Sequence, residues 1–176
     1  SYAEAAAVGY GALANVFKNN TTIETFNELQ YFTGMIGIYP GAFEGCTSLQ
    51  EVTLPMNTQT VASRAFFGCS ALSYVGNLDK VQEIGVQAFM QCTALTGLSL
   101  GANLGTIDDD AFNGCTELSY ISLECAPPDF GYYPTSTFNG VDKTIPVYVP
   151  CGSVADYQTY NNGAPWGGFN SIQGMG

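Results

Sequence analysis

The sequence predicts an α/β solenoid with a parallel β-sheet on one side, short helical turns on the opposite side and a cap at each end. Three observations support this prediction. A sequence unit returns every 23 residues, each unit carries one strand-like apolar pattern, and aromatic segments flank the repeats. Because one unit cannot bury its own apolar face, successive units must stack around a shared core.

The repeated unit opens with Ala-Phe and continues through a cysteine into an aliphatic strand. Its four gapless copies read AFEGCTSLQEVTL from Ala42, AFFGCSALSYVGN from Ala65, AFMQCTALTGLSL from Ala88 and AFNGCTELSYISL from Ala111. A shorter echo, TFNGV, begins at Thr137 after a longer interval of 26 residues.

The strand of each unit follows the spacing L-x-x-V-x-L, which is typical of a leucine-rich repeat. Its alternate aliphatic residues point to one face, so stacked strands about 4.8 Å apart bury that face. We therefore predict a short leucine-rich-repeat solenoid in which the phenylalanines stack inside the core. These rings belong to Phe43, Phe66, Phe89 and Phe112.

The second repeat departs from the pattern. Asn77 takes the last aliphatic position and Leu78 follows it. We expect a local bulge at this point.

The flanking segments divide the chain into three parts. Residues 1–33 are expected to form an N-terminal helical cap, residues 34–124 the leucine-rich repeats, and residues 125–176 a degenerate last repeat with the C-terminal cap. Open solenoids need such caps because their terminal coils otherwise expose the core.

Within the caps, residues 3–17 are expected to form a short helix. Thr25 is expected to cap a second helix, since Glu28 follows at the spacing of a capping box. At the other end, residues 145–149 alternate like a strand and residues 153–160 are expected to form a helix capped by Ser153. Trp166 is predicted to cover the last coil rather than to serve as a sugar platform.

The composition excludes several classes of function. Four basic residues against 15 acidic ones give a net charge of −11, which disfavours binding to nucleic acid or to an anionic membrane. No apolar run is long enough to span a bilayer. The chain contains no histidine, which removes the commonest general base and the commonest metal ligand. We expect no cofactor, no metal and no membrane insertion, and a monomeric protein.

The cysteines fall into two groups. Cys46, Cys69, Cys92 and Cys115 occupy one position of four coils. They should form a structural column of free, buried thiols, because a column spread over about 14 Å cannot converge on one zinc ion. Cys125 and Cys151 lie outside the column. A disulfide between them is one possibility and two free thiols the other, since sequence alone does not fix connectivity.

The solvent-facing positions of the strands are the candidate binding surface. They are small and polar and include two tyrosines, side chains that suit contact with protein or sugar. The alternative is an ordinary solvated sheet face. The candidate residues are Glu51, Thr53, Tyr74, Thr96, Ser99, Tyr120 and Ser122.

The run Asp108-Asp109-Asp110 is the densest charge cluster. A calcium site needs several carboxylates, but acids also favour the entry to a helical turn, and we expect the second role. No other pattern of carboxylates or nucleophiles indicates a catalytic site.

The four AFxxC blocks with their strands resemble the BspA-type leucine-rich-repeat proteins. FNELQYFTGMIGI, from Phe26, resembles the lead-in found in gut Bacteroidetes members, and the segment from CAPPDFG to the final glutamine resembles their closing segment. The resemblance implies a secreted or cell-surface location and adhesion-type binding.

We therefore expect a non-enzymatic cell-surface module that recognises a host or bacterial surface protein or glycan through its strand face. A structural spacer or cap within a larger surface assembly is the alternative. A carbohydrate-active enzyme is a third, less favoured, because it would need convergent carboxylates in a cleft.

Overall fold

The structure, a computed structural model, describes residues 16–160 and 164–176. These residues form stacked coils joined by parallel β-sheets with few short helices, as the sequence predicts. Two sheets share one side of the solenoid. The first contains β1 (Thr25–Phe26), β3 (Glu51–Thr53) and β5 (Tyr74–Gly76), and the second contains β7 (Leu98–Leu100), β9 (Ile121–Leu123), β11 (Pro146–Pro150) and β12 (Ser171–Met175).

A third sheet runs along a second side and was not expected from the sequence. Its strands are two residues each: β2 (Gly37–Ile38), β4 (Thr60–Val61), β6 (Glu83–Ile84), β8 (Thr106–Ile107) and β10 (Asp129–Phe130). Each strand pairs in parallel with its neighbour at the repeat interval, as in the pair Val61 and Ile84. The β-branched aliphatic residues of these strands point inward and are fully buried.

The core contains a continuous stack of phenylalanine rings. The predicted neighbours lie parallel, and Phe66 and Phe89 have ring centroids 5.2 Å apart with planes 5° apart. The stack extends one ring further at each end, to Phe17 and Phe138. With β1, the Phe17 ring places an additional coil in the segment that we assigned to the N-terminal cap.

The predicted helical turns opposite the first sheet consist of consecutive turns rather than helices. Within one coil, the Cys69 N–H group donates to the Phe66 carbonyl at 3.1 Å, and between coils the Phe66 N–H group donates to the Ala88 carbonyl at 2.8 Å. Left-handed residues alternate with these turns, among them Gln87 with φ 57° and Asp110 with φ 57°. This alternation prevents a helix from forming and aims every second N–H group at the next coil.

The irregularity predicted at Asn77 is larger than a bulge. Asn77 is left-handed with φ 65°, and the chain turns away into a 3₁₀ helix at Leu78–Lys80. The backbone of Asp79 occupies the space beside Gly101, where a Cβ atom would overlap it. The sheet therefore ends at β5, and a new sheet begins at β7.

The expected N-terminal helices are only partly visible. The helix expected over residues 3–17 lies almost wholly outside the described residues. The prediction that Thr25 caps a helix is wrong. Thr25 belongs to β1, and the segment after it forms only a 3₁₀ helix at Asn27–Tyr31, with no side-chain cap bond. Pairing of β1 with β3 outweighs the local capping pattern.

The C-terminal cap follows the prediction more closely. The expected strand is β11, and α1 (Val154–Thr159) follows it, although the Ser153 side chain makes no cap bond. Short 3₁₀ helices occur at Pro134–Ser136, Cys151–Ser153 and Trp166–Gly168. Trp166 is fully buried, and its ring centroid lies 5.1 Å from that of Phe138. It closes the phenylalanine stack, as predicted.

Candidate functional site

The break between β5 and β7 leaves a depression of about 360 Å³ on the strand face. We call it the tyrosine depression. It arises because the 3₁₀ helix after Asn77 diverts the second repeat, so that the strand face loses its continuity there. Its lining residues are Ser73, Tyr74, Val75, Asn77, Leu78, Asp79, Thr96, Gly97, Ser99 and Tyr120.

Two exposed tyrosines flank the depression. Tyr74 is 57% exposed and Tyr120 is 38% exposed. Leu98 pairs with Ile121, so Gly97 lies opposite Tyr120 in the adjacent coil. The Tyr120 ring lies over Gly97, where a Cβ atom would overlap it. The absence of a side chain at position 97 thus allows this ring to lean across the depression.

The floor carries a column of hydroxyl groups that point back along the solenoid. The Ser73 hydroxyl donates to the Gln50 carbonyl at 3.1 Å, and the Thr96 hydroxyl donates to the Ser73 carbonyl at 3.2 Å. Ser119 repeats the pattern one coil on, donating to Thr96 at 2.7 Å. Each hydroxyl therefore uses its hydrogen within the fold and presents oxygen lone pairs outward.

The wall formed by the second repeat is polar and charged. The Asn77 Nδ2 atom donates to the Leu54 carbonyl at 2.7 Å, which commits one of its donors to the fold. The Asp79 carboxylate lies 2.7 Å from Lys80 Nζ, and both side chains are about half exposed, at 49% and 51%. A pair this exposed contributes little to stability. Because its side chain is half exposed, the Asp79 carboxylate is accessible to a ligand.

The structure brings together four of the seven candidate residues: Tyr74, Thr96, Ser99 and Tyr120 line the depression. The other three lie on the same sheets outside it. Glu51 is exposed beside Tyr74, Thr53 donates to Asn27, and Ser122 donates to Met175.

Sequence reasoning did not single out Asn77 and Asp79 as site residues. The only signal for them was the departure of the second repeat from its aliphatic pattern. That departure predicted an irregularity but not the polar wall that results from it.

The basic residues are all engaged with other groups. Lys18 and Arg64 both contact the Glu44 carboxylate, at 3.1 Å and 2.8 Å, and the hydrogen bond from Arg64 lowers the pKa of Glu44. Lys143 donates to the Phe138 carbonyl and lies 4.5 Å from the centre of the Phe169 ring. With Lys80 beside Asp79, every positive charge is locally compensated or held against the fold, and the excess acidic charge remains uncompensated.

The column cysteines are buried in the interior. Their thiols donate to the phenylalanine carbonyl of the preceding coil, from Cys46 to Phe17 at 2.9 Å through Cys115 to Phe89 at 3.2 Å. Burial raises the pKa of the Cys92 thiol well above its usual range and that of Cys115 to about 12. The Cys92 and Cys115 thiols are therefore protonated and unsuited to nucleophilic chemistry at neutral pH.

The disulfide considered between Cys125 and Cys151 is not formed in the structure, where both residues are free thiols. Cys125 is buried with its sulfur 3.6 Å from the Tyr157 hydroxyl group, whereas Cys151 is exposed.

The acidic run lies on a turn. The Asp109 carboxylate accepts from the Tyr133 N–H group, and the Asp110 carboxylate accepts from Asn113 at 2.8 Å. Burial, together with the charges of Glu83 and Asp109, raises the pKa of Asp108. Across residues 16–160 and 164–176, no group of three or more potential ligands is placed to hold a metal ion. In the same residues, no helix has the length and apolar character needed to cross a membrane.

Comparison with a family model matches residues 13–144 to six copies of the BspA type leucine-rich repeat region. The six copies agree in number with the six stacked phenylalanine rings. No curated protein matches the sequence.

Solved structures with a similar fold come from bacterial proteins. A leucine-rich repeat protein from Bacteroides ovatus is 26% identical with a TM-score of 0.61, over 92% of this chain and 39% of that one. A leucine rich cell surface protein from Faecalibacterium prausnitzii is 23% identical with a TM-score of 0.51, over 81% and 30%. The pneumococcal vaccine antigen PcpA is 14% identical with a TM-score of 0.58, over 88% and 42%. The chain thus spans less than half of each of these proteins.

Proposed function

Because this chain belongs to the BspA-type leucine-rich-repeat family, we propose that it is a non-enzymatic binding module. It recognises a host or bacterial surface protein or a glycan through its strand face, and the contact centres on the tyrosine depression. The protein acts at the cell surface or after secretion, and it binds without a cofactor or metal.

One observation carries this proposal. The only described break in the strand face coincides with a depression that two exposed tyrosines flank. Tyrosines bring large contact area with few rotatable bonds to a recognition surface. The core is filled by stacked rings and aliphatic side chains, and the depression opens on the surface above two core residues, Val75 and Leu78.

The surface location is supported by the structural neighbours. The Faecalibacterium prausnitzii protein is described as a leucine rich cell surface protein, and PcpA as a vaccine antigen. Both descriptions suit proteins that are accessible from outside the cell.

The non-enzymatic character is supported by the chemistry of the depression. Its one carboxylate, Asp79, faces Lys80 rather than a second acid. Glycoside hydrolysis needs two carboxyl groups flanking the scissile bond, and the chain has no histidine to act as a base.

A structural role is the second candidate. The chain covers only 39%, 30% and 42% of its structural neighbours, so a module of this size suits a spacer or cap within a larger surface assembly. Such a role needs no ligand at the tyrosine depression.

A binding screen separates the two candidates. The purified chain is tested against extracellular-matrix proteins and a glycan array, and each hit is repeated with Tyr74→Ala, Tyr120→Ala and the control Tyr132→Ala. Tyr132 is 91% exposed and lies outside the depression. A hit that is lost with Tyr74→Ala and Tyr120→Ala but kept with Tyr132→Ala supports the binding module. A screen without hits favours the spacer.

A further inference from the structure

We propose that the tyrosine depression binds a cationic peptide segment, with an arginine side chain as its central contact. This inference rests on the proposed function and specifies the class of ligand. It follows from which hydrogen-bonding groups the depression offers, from its aromatic faces and from the charge around it.

The first step is that three polar side chains of the depression, those of Ser73, Thr96 and Asp79, offer only hydrogen-bond acceptors to a ligand. The hydroxyl hydrogens of Ser73 and Thr96 are used by carbonyl groups of the preceding coils. Asn77 spends one of its donors on Leu54. Asp79 is a carboxylate and can only accept when ionised. A ligand that fits these groups must supply donors.

The second step concerns the tyrosine rings. The face of an aromatic ring attracts a cation, and a planar guanidinium group can stack on it. Tyr74 is exposed on its coil, and the Tyr120 ring leans towards it over Gly97. The two rings therefore flank the position that a planar cationic group would occupy.

The third step is electrostatic. Glu51 lies beside Tyr74 in the neighbouring strand, and Glu124 lies close enough to act on the charge of Lys80. Asp79 is the one carboxylate that lines the depression, and Lys80, its partner, is the one cation that borders it among the described residues. The chain carries a net charge of −11, which further accelerates encounter with a basic partner.

Arginine matches these features better than a neutral sugar does. Its guanidinium group has five N–H donors and no acceptor, so every polar contact suits an acceptor-rich site. A sugar hydroxyl group both donates and accepts, and Ser73 and Thr96 offer it no donor.

The test uses a fluorescein-labelled peptide of alternating glycine and arginine, with citrulline and lysine counterparts, measured by fluorescence anisotropy on the full chain. Citrulline keeps the planar shape but removes the charge. We expect the citrulline peptide to bind at least about tenfold more weakly and the lysine peptide to bind more weakly than the arginine peptide. Tyr74→Ala and Tyr120→Ala should each weaken arginine-peptide binding about three- to tenfold, while Tyr132→Ala leaves it unchanged.

A gain-of-affinity variant sharpens the test. Lys80→Gln frees the Asp79 carboxylate and should tighten binding of the arginine peptide. Lys18→Gln changes the net charge equally, but it lies by Glu44, away from the depression, and should tighten binding less.

Two results would overturn the inference. One is equal binding of the citrulline and arginine peptides. The other is equal binding of the arginine peptide by Tyr74→Ala and Tyr132→Ala, because this would show that only the net charge of the protein attracts the peptide. If the arginine peptide fails while a glycan from the array binds and is lost with Tyr74→Ala, the inference fails and the binding module stands. If nothing binds at the depression, both fail.

Discussion

The ring of Tyr120 lies over Gly97 of the preceding coil, so closely that a Cβ atom at position 97 would overlap the ring. Glycine is not needed there for backbone reasons, since Gly97 is not among the residues with positive φ. Glycine at position 97 leaves room for the Tyr120 ring, so the shape of the depression depends on this residue.

The variant Gly97→Ala should therefore fold but bind differently. Its added methyl group meets the end of a movable side chain, so we expect the free energy of unfolding to change by less than about 1 kcal/mol. The Tyr120 ring should be displaced, which shifts its NMR signals, and affinity at the depression should fall. Unchanged Tyr120 signals would show that the ring does not rest on Gly97.

The phenylalanine stack should dominate the stability of the solenoid. Phe89 is fully buried between two parallel rings, so Phe89→Ala removes a ring and leaves a cavity. We expect a loss of about 3–5 kcal/mol in the free energy of unfolding, measured by urea denaturation. Phe89→Leu should cost less because it fills part of the cavity.

The control for the stack is Tyr133→Ala, which removes an aromatic ring that is 67% exposed. Its effect on the urea midpoint should be small. A loss for Phe89→Ala no larger than that of the control would contradict a core built on stacked rings.

The repeat made most of this core predictable. Each residue type recurs at the same position of successive coils, so the stacking of Phe43 on Phe66 and the column that contains Cys69 and Cys92 follow from the interval alone. Periodicity is a strong signal because it is repeated across the chain rather than read from one segment.

The third sheet, the left-handed turns and the tyrosine depression could not be predicted from the sequence. Strands of two residues such as Thr60–Val61 are too short to show alternation, and left-handed backbone at Gln87 has no glycine to mark it. The tyrosine depression depends on how far the chain turns away after Asn77 and on the rotamer of Tyr120. Both are set by packing between coils, which a single unit of sequence does not specify.

Thiol labelling should distinguish the cysteines by their burial. In the native protein without reductant, a maleimide should react rapidly with Cys151 alone, because it is the exposed one of the six free thiols. In denaturant, all six should react. Mass spectrometry counts the labels. Labelling of only Cys46, Cys69, Cys92 and Cys115 in denaturant would reveal a bridge between the two remaining cysteines.

Stability at neutral pH should rise when Asp108 loses its charge. Burial, with the nearby charges of Glu83 and Asp109, raises its pKa, so the folded state binds this proton more tightly than the unfolded state does. The ionised carboxylate thus destabilises the fold above its pKa, and this cost disappears as the pH falls and the group is protonated.

We therefore expect Asp108→Asn to raise the melting temperature at pH 7. The gain should shrink as the pH falls through the raised pKa of Asp108 and vanish below the usual pKa of an aspartate, about 3.9. Glu117→Gln, at an exposed acid, controls for one unit of net charge. An equal gain from both variants would mean that general charge repulsion, rather than the setting of Asp108, is responsible.

The most direct test of the account is an NMR titration of the ¹⁵N-labelled chain with a ligand obtained from the binding screen. If the tyrosine depression is the binding site, the largest shifts should fall on Ser73, Tyr74, Asn77, Gly97 and Tyr120, while Tyr132 and Tyr133 stay unchanged. Shifts confined to the turn side of the solenoid or to the loop of Tyr132 and Tyr133 would contradict the assignment of the depression as the recognition site.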